Sequence, residues 1–197
     1  IGWEPPPTGL RGLVTMANGI VAGFKDDTVY FCEPYFPHAW PQRYAQVVPY
    51  RIVGLGAYGN SLVVMTQGHP SIITGVHPDA MTVEKIPLPQ PCVSKRSIAT
   101  DGYGVVYAGP DGLVSIGPTR RAIITDAIMR RDEWRKFGPE TIIGAIYDNK
   151  YIGNYRSGTR GNKAMVLDRK SAASGKRVAA GVDLGGRRVI QKKLPVC

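Results

Sequence analysis

Apolar residues in this chain come in short runs broken by Gly, Asn, Asp and Pro, a pattern that predicts many short strands joined by tight turns. The clearest stretch is DGYGVVYAGPDGLVSIG, residues 101–117, where a turn pair and an apolar run are followed ten residues later by a second turn pair and a second run. The same unit occurs three more times. Asn18-Gly19 separates the run Leu13 to Met16 from Ile20 to Phe24, and Asp26-Asp27 precedes Val29 to Cys32. Residues 51–75 turn at Gly59-Asn60 and at Gly68-His69, and residues 141–168 turn at Asp148-Asn149 and then across Ser157 to Asn162. Asn-Gly and Asp-Gly pairs supply the positive φ that two-residue hairpin turns need, and the flanking runs are β-branched and aromatic. Each unit therefore predicts a pair of hairpins.

The leading turns near 18, 59, 101 and 148 set a repeat of about 41 to 47 residues, the length of a propeller blade. Met81 to Leu88 and Arg121 to Thr125 are candidate fourth strands. The expected fold is mainly β and propeller-like, with about four blades of antiparallel sheet and one short helix between blades. A lead segment, 1–10, precedes a blade region, 11–170, with blades near 11–50, 51–94, 95–138 and 139–170; a basic C-terminal segment, 171–197, follows. The chain begins at Ile1 and not at Met, which suits one arc of a larger ring. Blades must stack on their neighbours, so the repeat predicts a core shared from blade to blade.

Two segments between blades break the pattern. Residues 33–50, EPYFPHAWPQRYAQVVPY, are rich in aromatic residues and proline and predict a rigid loop packed on the rim. Residues 125–140, TDAIMRRDEWRKFGPE, predict the helix, with Asp132 and Glu133 early, Arg135 and Lys136 late, and Gly138-Pro139 ending it. Trp134 and Phe137, three apart, share a face that docks on the propeller edge.

Composition agrees with this picture: 43% of residues are hydrophobic, and Gly 24 with Pro 16 make about a fifth of the chain. No apolar run reaches the roughly 20 residues of a membrane span, and no signal-peptide pattern opens the sequence, so a soluble protein is expected. The cysteines Cys32, Cys92 and Cys197 lack the spacing of a zinc or redox motif, and the first two are expected to be small buried apolar residues in a reducing compartment.

Charge is unevenly placed. Of 25 Lys+Arg and 15 Asp+Glu, residues 156–197 hold 11 and 2. The candidate nucleic-acid contacts are Arg160, Lys163, Arg169, Lys170, Lys176, Arg177, Arg187 and Arg188, with Lys192 and Lys193 beyond them. No aromatic residue follows Tyr155, so contact would be with phosphates, non-specific and salt-sensitive.

Enzymatic patterns are weak. His38, His69 and His77 lie in Pro-rich loops and form no nucleophile elbow or metalloprotease helix. Asp26, Asp27, Asp101, Asp111 and Asp148 sit at turns, where turn chemistry explains them, although a glycosidase could draw an acid pair from such positions. GLGAYGN at 54–60 lacks nucleotide-loop spacing, and PDGLVSIG lacks the ligands of a calcium loop. No catalytic residue, cofactor or metal is expected.

The segments VYFCEPYFPHAWP, CVSKRSIATDGYGVVYAGPDGLVSIG and RRDEWRKFGPETIIGAIYDNKYIG resemble parts of the β-propeller tail proteins of short-tailed bacteriophages, related in role to the tail nozzle and packaged-DNA stabilisation (hub) proteins. The resemblance covers roughly residues 10–155. It is strongest from Glu33-Pro34 to Trp40-Pro41, and from Cys92 to Arg96 leading into Asp111-Gly112-Leu113. It implies a structural virion subunit, assembled in the host bacterial cytoplasm, with copies of itself in a ring around the tail axis. Portal, adaptor and other tail proteins would adjoin it, and the ring would form part of the conduit that retains and releases the genome. Two other readings stay open: a propeller binding host-surface carbohydrate through Tyr35, Phe36, Trp40 and Tyr44, and a propeller hydrolase.

Overall fold

The structure is a computed structural model and describes residues 4–156, 161–168, 179–183 and 189–191. These residues form four antiparallel sheets, each with its strands hydrogen-bonded in chain order. The first holds β1 (Arg11–Thr15), β2 (Val21–Lys25), β3 (Thr28–Phe31) and β4 (Gln46–Val47). The second holds β5 (Ile52–Tyr58), β6 (Ser61–Thr66), β7 (Ser71–Thr74) and β8 (Thr82–Lys85). The third holds β9 (Ala99–Thr100), β10 (Val105–Ala108), β11 (Leu113–Ile116) and β12 (Arg121–Ile123). A short helix, α1 (Arg131–Arg135), leads to the fourth: β13 (Ile143–Tyr147), β14 (Lys150–Arg156), β15 (Asn162–Asp168), β16 (Ala179–Asp183) and β17 (Val189–Gln191). The fold is mainly β and propeller-like, as the repeat predicts.

The turns fall where the sequence puts them. Tyr147 pairs with Lys150 across Asp148 (φ 47) and Asn149 (φ 57), two positive angles in succession, the backbone of a type I′ hairpin. Tyr58 pairs with Ser61 across Gly59 (φ 50) and Asn60.

The first strands of successive sheets, β1, β5, β9 and β13, pack against one another and mark the inner edge of the blades. The approach is close: a Cβ on Gly56 of β5 would stand 2.8 Å from Cγ1 of Val105, so only glycine fits there. Between the sheets, the described residues form three apolar cores. Phe24, Phe31, Leu62 and Ile73 belong to the one between the first and second sheets. Met65, Ile72, Tyr107 and Val114 join the second to the third. Leu113, Trp134, Tyr151 and Met165 join the third to the fourth. Stacked faces of this kind are what makes a blade stable.

Three local features differ from the sequence reading. Residues 33–50 supply β4, the outermost strand of the first sheet, as well as a rim loop. Gln46–Val47 is too short for alternation to reveal, and its pairing with Thr28 and Val29 specifies it. The helix has one turn and a half within 131–135, not the length of 125–140. Its upstream residues form a separate turn, in which the Ile128 and Met129 N–H groups donate to the Thr125 carbonyl, before Arg130 adopts extended backbone. The fourth sheet also runs past residue 170, through β16 and β17. The Ala/Gly-rich sequence of β16 carries little strand signal and β17 has three residues; the backbone ladder to β15 places β16, and pairing with β16 places β17.

Candidate functional site

Of the basic residues predicted to meet nucleic acid, Lys163 lies among the described residues; Arg160, Arg169, Lys170, Lys176, Arg177, Arg187 and Arg188 lie outside them. Lys163 is half-buried in β15, and its backbone pairs with Tyr155 and Asp183.

The aromatic set of 33–44 is divided by burial. Trp40 is 4% exposed, its indole N–H donating to the Pro37 carbonyl at 2.8 Å, and Tyr44 is 1% exposed. Both are core residues and present no ring to a sugar. Tyr35, held at φ 64, is 76% exposed and Phe36 is 46% exposed.

The buried hydroxyl of Tyr44 organises a polar cluster that the sequence did not announce. It donates to Glu33 Oε2 at 2.7 Å and accepts from Arg43 Nη2 at 2.9 Å, while Arg43 Nε reaches Asp79 at 3.3 Å. His77 stands edge-on to the Tyr44 ring with centroids 5.7 Å apart, and its Nε2 lies 3.8 Å from Glu33. Its Nδ1 accepts the Asp79 N–H at 3.3 Å, starting a single helical turn at Pro78–Ala80. Burial pushes the Tyr44 hydroxyl up, and the bond to Glu33 adds to it. A phenol held protonated in this way is a donor to a carboxylate, not a nucleophile. Chemically the cluster is a clasp between the loops of the first and second blades. The signal that could have found it is the placement of Glu33, Arg43 and His77 in Pro-rich loops at the same level of adjoining repeats.

The turn aspartates are engaged locally. Asp101 accepts the N–H groups of Tyr103 and Gly104 at 3.0 and 3.1 Å. Asp111 accepts from Gln90 Nε2 at 2.9 Å and faces Arg131 and Arg135 of α1 at 3.9 and 4.0 Å. Asp26 meets Arg51 at 3.5 Å, and Lys150 Nζ donates to Asp148 at 2.6 Å. Among the described residues no group of three or more His, Cys, Asp or Glu side chains is placed to hold a metal ion.

The two cysteines with described side chains are buried, as expected. Val21 N–H donates to Cys32 Sγ at 3.0 Å, and Cys92 Sγ donates to the Ser94 carbonyl at 3.3 Å. Burial pushes the Cys92 thiol up to about 12, which leaves it unreactive at neutral pH. At the inner edge of the blades lies a groove of about 450 Å³, lined among others by Val14, Leu55, Ala57, Ile98 and Thr100. It offers apolar and hydroxyl surface and no ionisable group.

No protein-family model matches the sequence, and neither does any curated protein. Solved structures do match in fold. Apo AztD from Citrobacter koseri has a TM-score of 0.53 and 14% identity over 91% of this chain and 48% of that one. Another crystal structure of Citrobacter koseri AztD gives 0.53 and 15% over 96% of this chain and 52% of that one. The N-terminal domain of Nup159 gives 0.50 and 7% over 81% and 45%. These neighbours are propellers, and at such identities the likeness defines a fold class and nothing finer. The particular match is partial: the chain spans about half the length of the propeller chains it resembles. Among the described residues no helix is long and apolar enough to cross a membrane.

Proposed function

We propose that this chain is a structural component of a bacteriophage virion tail, part of a nozzle or hub that retains and releases the genome. The sequence resemblance across residues 10–155 supports the role. The observation that carries it on the physical side is the unbroken series of three blade-to-blade cores, with polar residues used as clasps and turn staples. Sheets with every inner strand paired and packed make a stiff wall, which suits a conduit under load from confined DNA. Its partners in this reading are copies of itself around the tail axis, portal or adaptor proteins, and DNA touched without sequence preference. The basic block of 156–197, with 11 Lys+Arg against 2 Asp+Glu, supports phosphate contact that is weak enough to release.

A glycan-binding role would rest on Tyr35 and Phe36, since Trp40 and Tyr44 are buried. The deciding experiment is a cryo-EM map of the intact particle. A ring of this chain on the tail axis, with residues 156–197 lining or bracing the channel, is the expected result. A peripheral appendage exposing Tyr35 and Phe36 would overturn the tail-conduit reading in favour of surface recognition.

A further inference from the structure

At the inner edge of the first three blades an apolar groove meets a set of unpaired cations. The groove, of about 450 Å³, is lined by Val14, Leu55, Ala57 and Ile98, with Thr15 and Thr100 along it, and no residue that lines it is ionisable or aromatic. Its volume falls within the range of small-ligand sites, about 300–1,000 Å³. Arg11 opens β1, Lys25 closes β2, and Lys95 and Arg96 belong to the helical turn Lys95–Ser97 that leads into β9. All four are exposed.

Packing draws these charges together from separate blades. Arg11 is the register partner of Phe24, the residue before Lys25. The Phe24 ring lies over Gly12, where a Cβ would stand 2.5 Å from its Cε1, and Lys95 Nζ stands 5.9 Å from the centre of the same ring. To reach it, Lys95 passes over β5: its Cγ is 3.8 Å from the position a Cβ on Gly54 would take. Glycine at 12 and 54 leaves room for this crossing. Ile98, just after the turn, packs on Gly54 and enters the groove, so the cations stand at one mouth of the apolar channel.

Among the described residues, none of Arg11, Lys25, Lys95 and Arg96 forms an ion pair. Asp26, beside Lys25, pairs instead with Arg51 at 3.5 Å, and Asp27 accepts the Thr28 hydroxyl at 3.0 Å. At the other end of the blades the cations are matched: Arg43 with Asp79 at 3.3 Å, and Arg121 with Glu84 and Lys150 with Asp148, both at 2.6 Å. Like charges gathered beside an apolar cleft without a counter-charge draw an anion to it. We propose that the groove binds an anionic amphiphile of the fatty-acid class, its chain in the apolar channel and its carboxylate among Arg11, Lys25, Lys95 and Arg96. A nucleic-acid strand fits less well, because the lining offers no ring on which a base could stack. The inference does not depend on the tail reading.

Isothermal titration of the whole 197-residue chain with sodium dodecanoate tests it, beside octanoate, dodecyltrimethylammonium and a short oligothymidylate. One dodecanoate per chain is expected, with Kd on the order of 10–100 µM. Octanoate should bind at least about tenfold more weakly, since each methylene buried contributes up to about fourfold. The cationic amphiphile should also bind at least about tenfold more weakly than dodecanoate. Arg11→Gln with Lys95→Gln should weaken dodecanoate about tenfold and abolish the preference for the anionic head, with circular dichroism unchanged. Thr100→Trp, at an exposed position on the groove wall, should block the chain; if that variant unfolds, Ala57→Leu is read in the same way. A titration with no saturable dodecanoate binding up to about 1 mM overturns the proposal. So does equal binding of the two head groups, or a double Gln variant that binds dodecanoate unchanged. Oligothymidylate binding that the double variant loses, with no dodecanoate bound, would make the patch a phosphate-strand site instead.

Discussion

The inner blades and the end blades use the same strand chemistry in different surroundings. In β6 and β10, Leu62–Thr66 and Val105–Ala108 are buried without a break, whereas β1 and β13 alternate between exposed and half-buried positions along their whole length. The inner strands read as continuous apolar runs, LVVM and VVYA, because both faces meet another blade. The end strands carry Leu13, Ile143 and Tyr147 on their outer side, apolar residues of the kind that find cover elsewhere in the repeat. Position in the stack, not composition, decides which apolar side chains are dry.

That contrast can be broken most sharply at Trp134, which is fully buried between the third and fourth sheets and donates its indole N–H to the Gly109 carbonyl at 2.9 Å. Trp134→Ala is expected to cost about 3–5 kcal/mol in denaturant unfolding, through the cavity and the stranded carbonyl. Leu62→Ala, in the core between the first two blades, follows at about 2–5 kcal/mol by the same measurement.

An alkaline titration separates buried from exposed ionisable groups. The Cys92 thiol is raised from 9.0 to about 12 in the folded chain, chiefly by burial. Above pH 9.0 the unfolded chain loses this proton while the folded chain keeps it, so the contribution is complete below 9.0 and is lost as pH rises towards about 12. The loss should reach about 1 kcal/mol by pH 10, and Cys92→Ala should remove that component of the slope. The smallest effect is expected at Leu13→Ala: the side chain is 62% exposed, and stability in denaturant unfolding should stay within about 0.5 kcal/mol of the wild type. A larger loss would show that Leu13 is covered more fully than its exposure indicates.

Much of the fold was legible because turn chemistry is local. Asp148, Asn149, Gly59 and Asp26 adopt the positive φ values their residue types favour, and the runs between them became strands. The burial of Trp134 beside Phe137, with centroids 6.2 Å apart, was also readable from their spacing. Strands with weak side-chain signals were not: β4 has two residues, and β16 is Ala/Gly-rich, so pairing to a neighbour defines both. The aromatic loop misled for a related reason, since nothing in YFPHAWPQRY, residues 35–44, distinguishes Trp40 and Tyr44, which turn inward, from Tyr35 and Phe36, which turn out.

The sequence by itself determined the blade repeat, the hairpin turns and the mainly β class, because these follow from backbone preferences and side-chain alternation within a few residues of one another. Only the tertiary structure decided the clasp of Glu33, Arg43, Tyr44, His77 and Asp79, which joins residues 33–44 to 77–79. It also decided which apolar faces are covered. Burial and hydrogen-bond partnership depend on what a neighbouring blade places opposite a residue, and that neighbour lies some forty residues away along the chain.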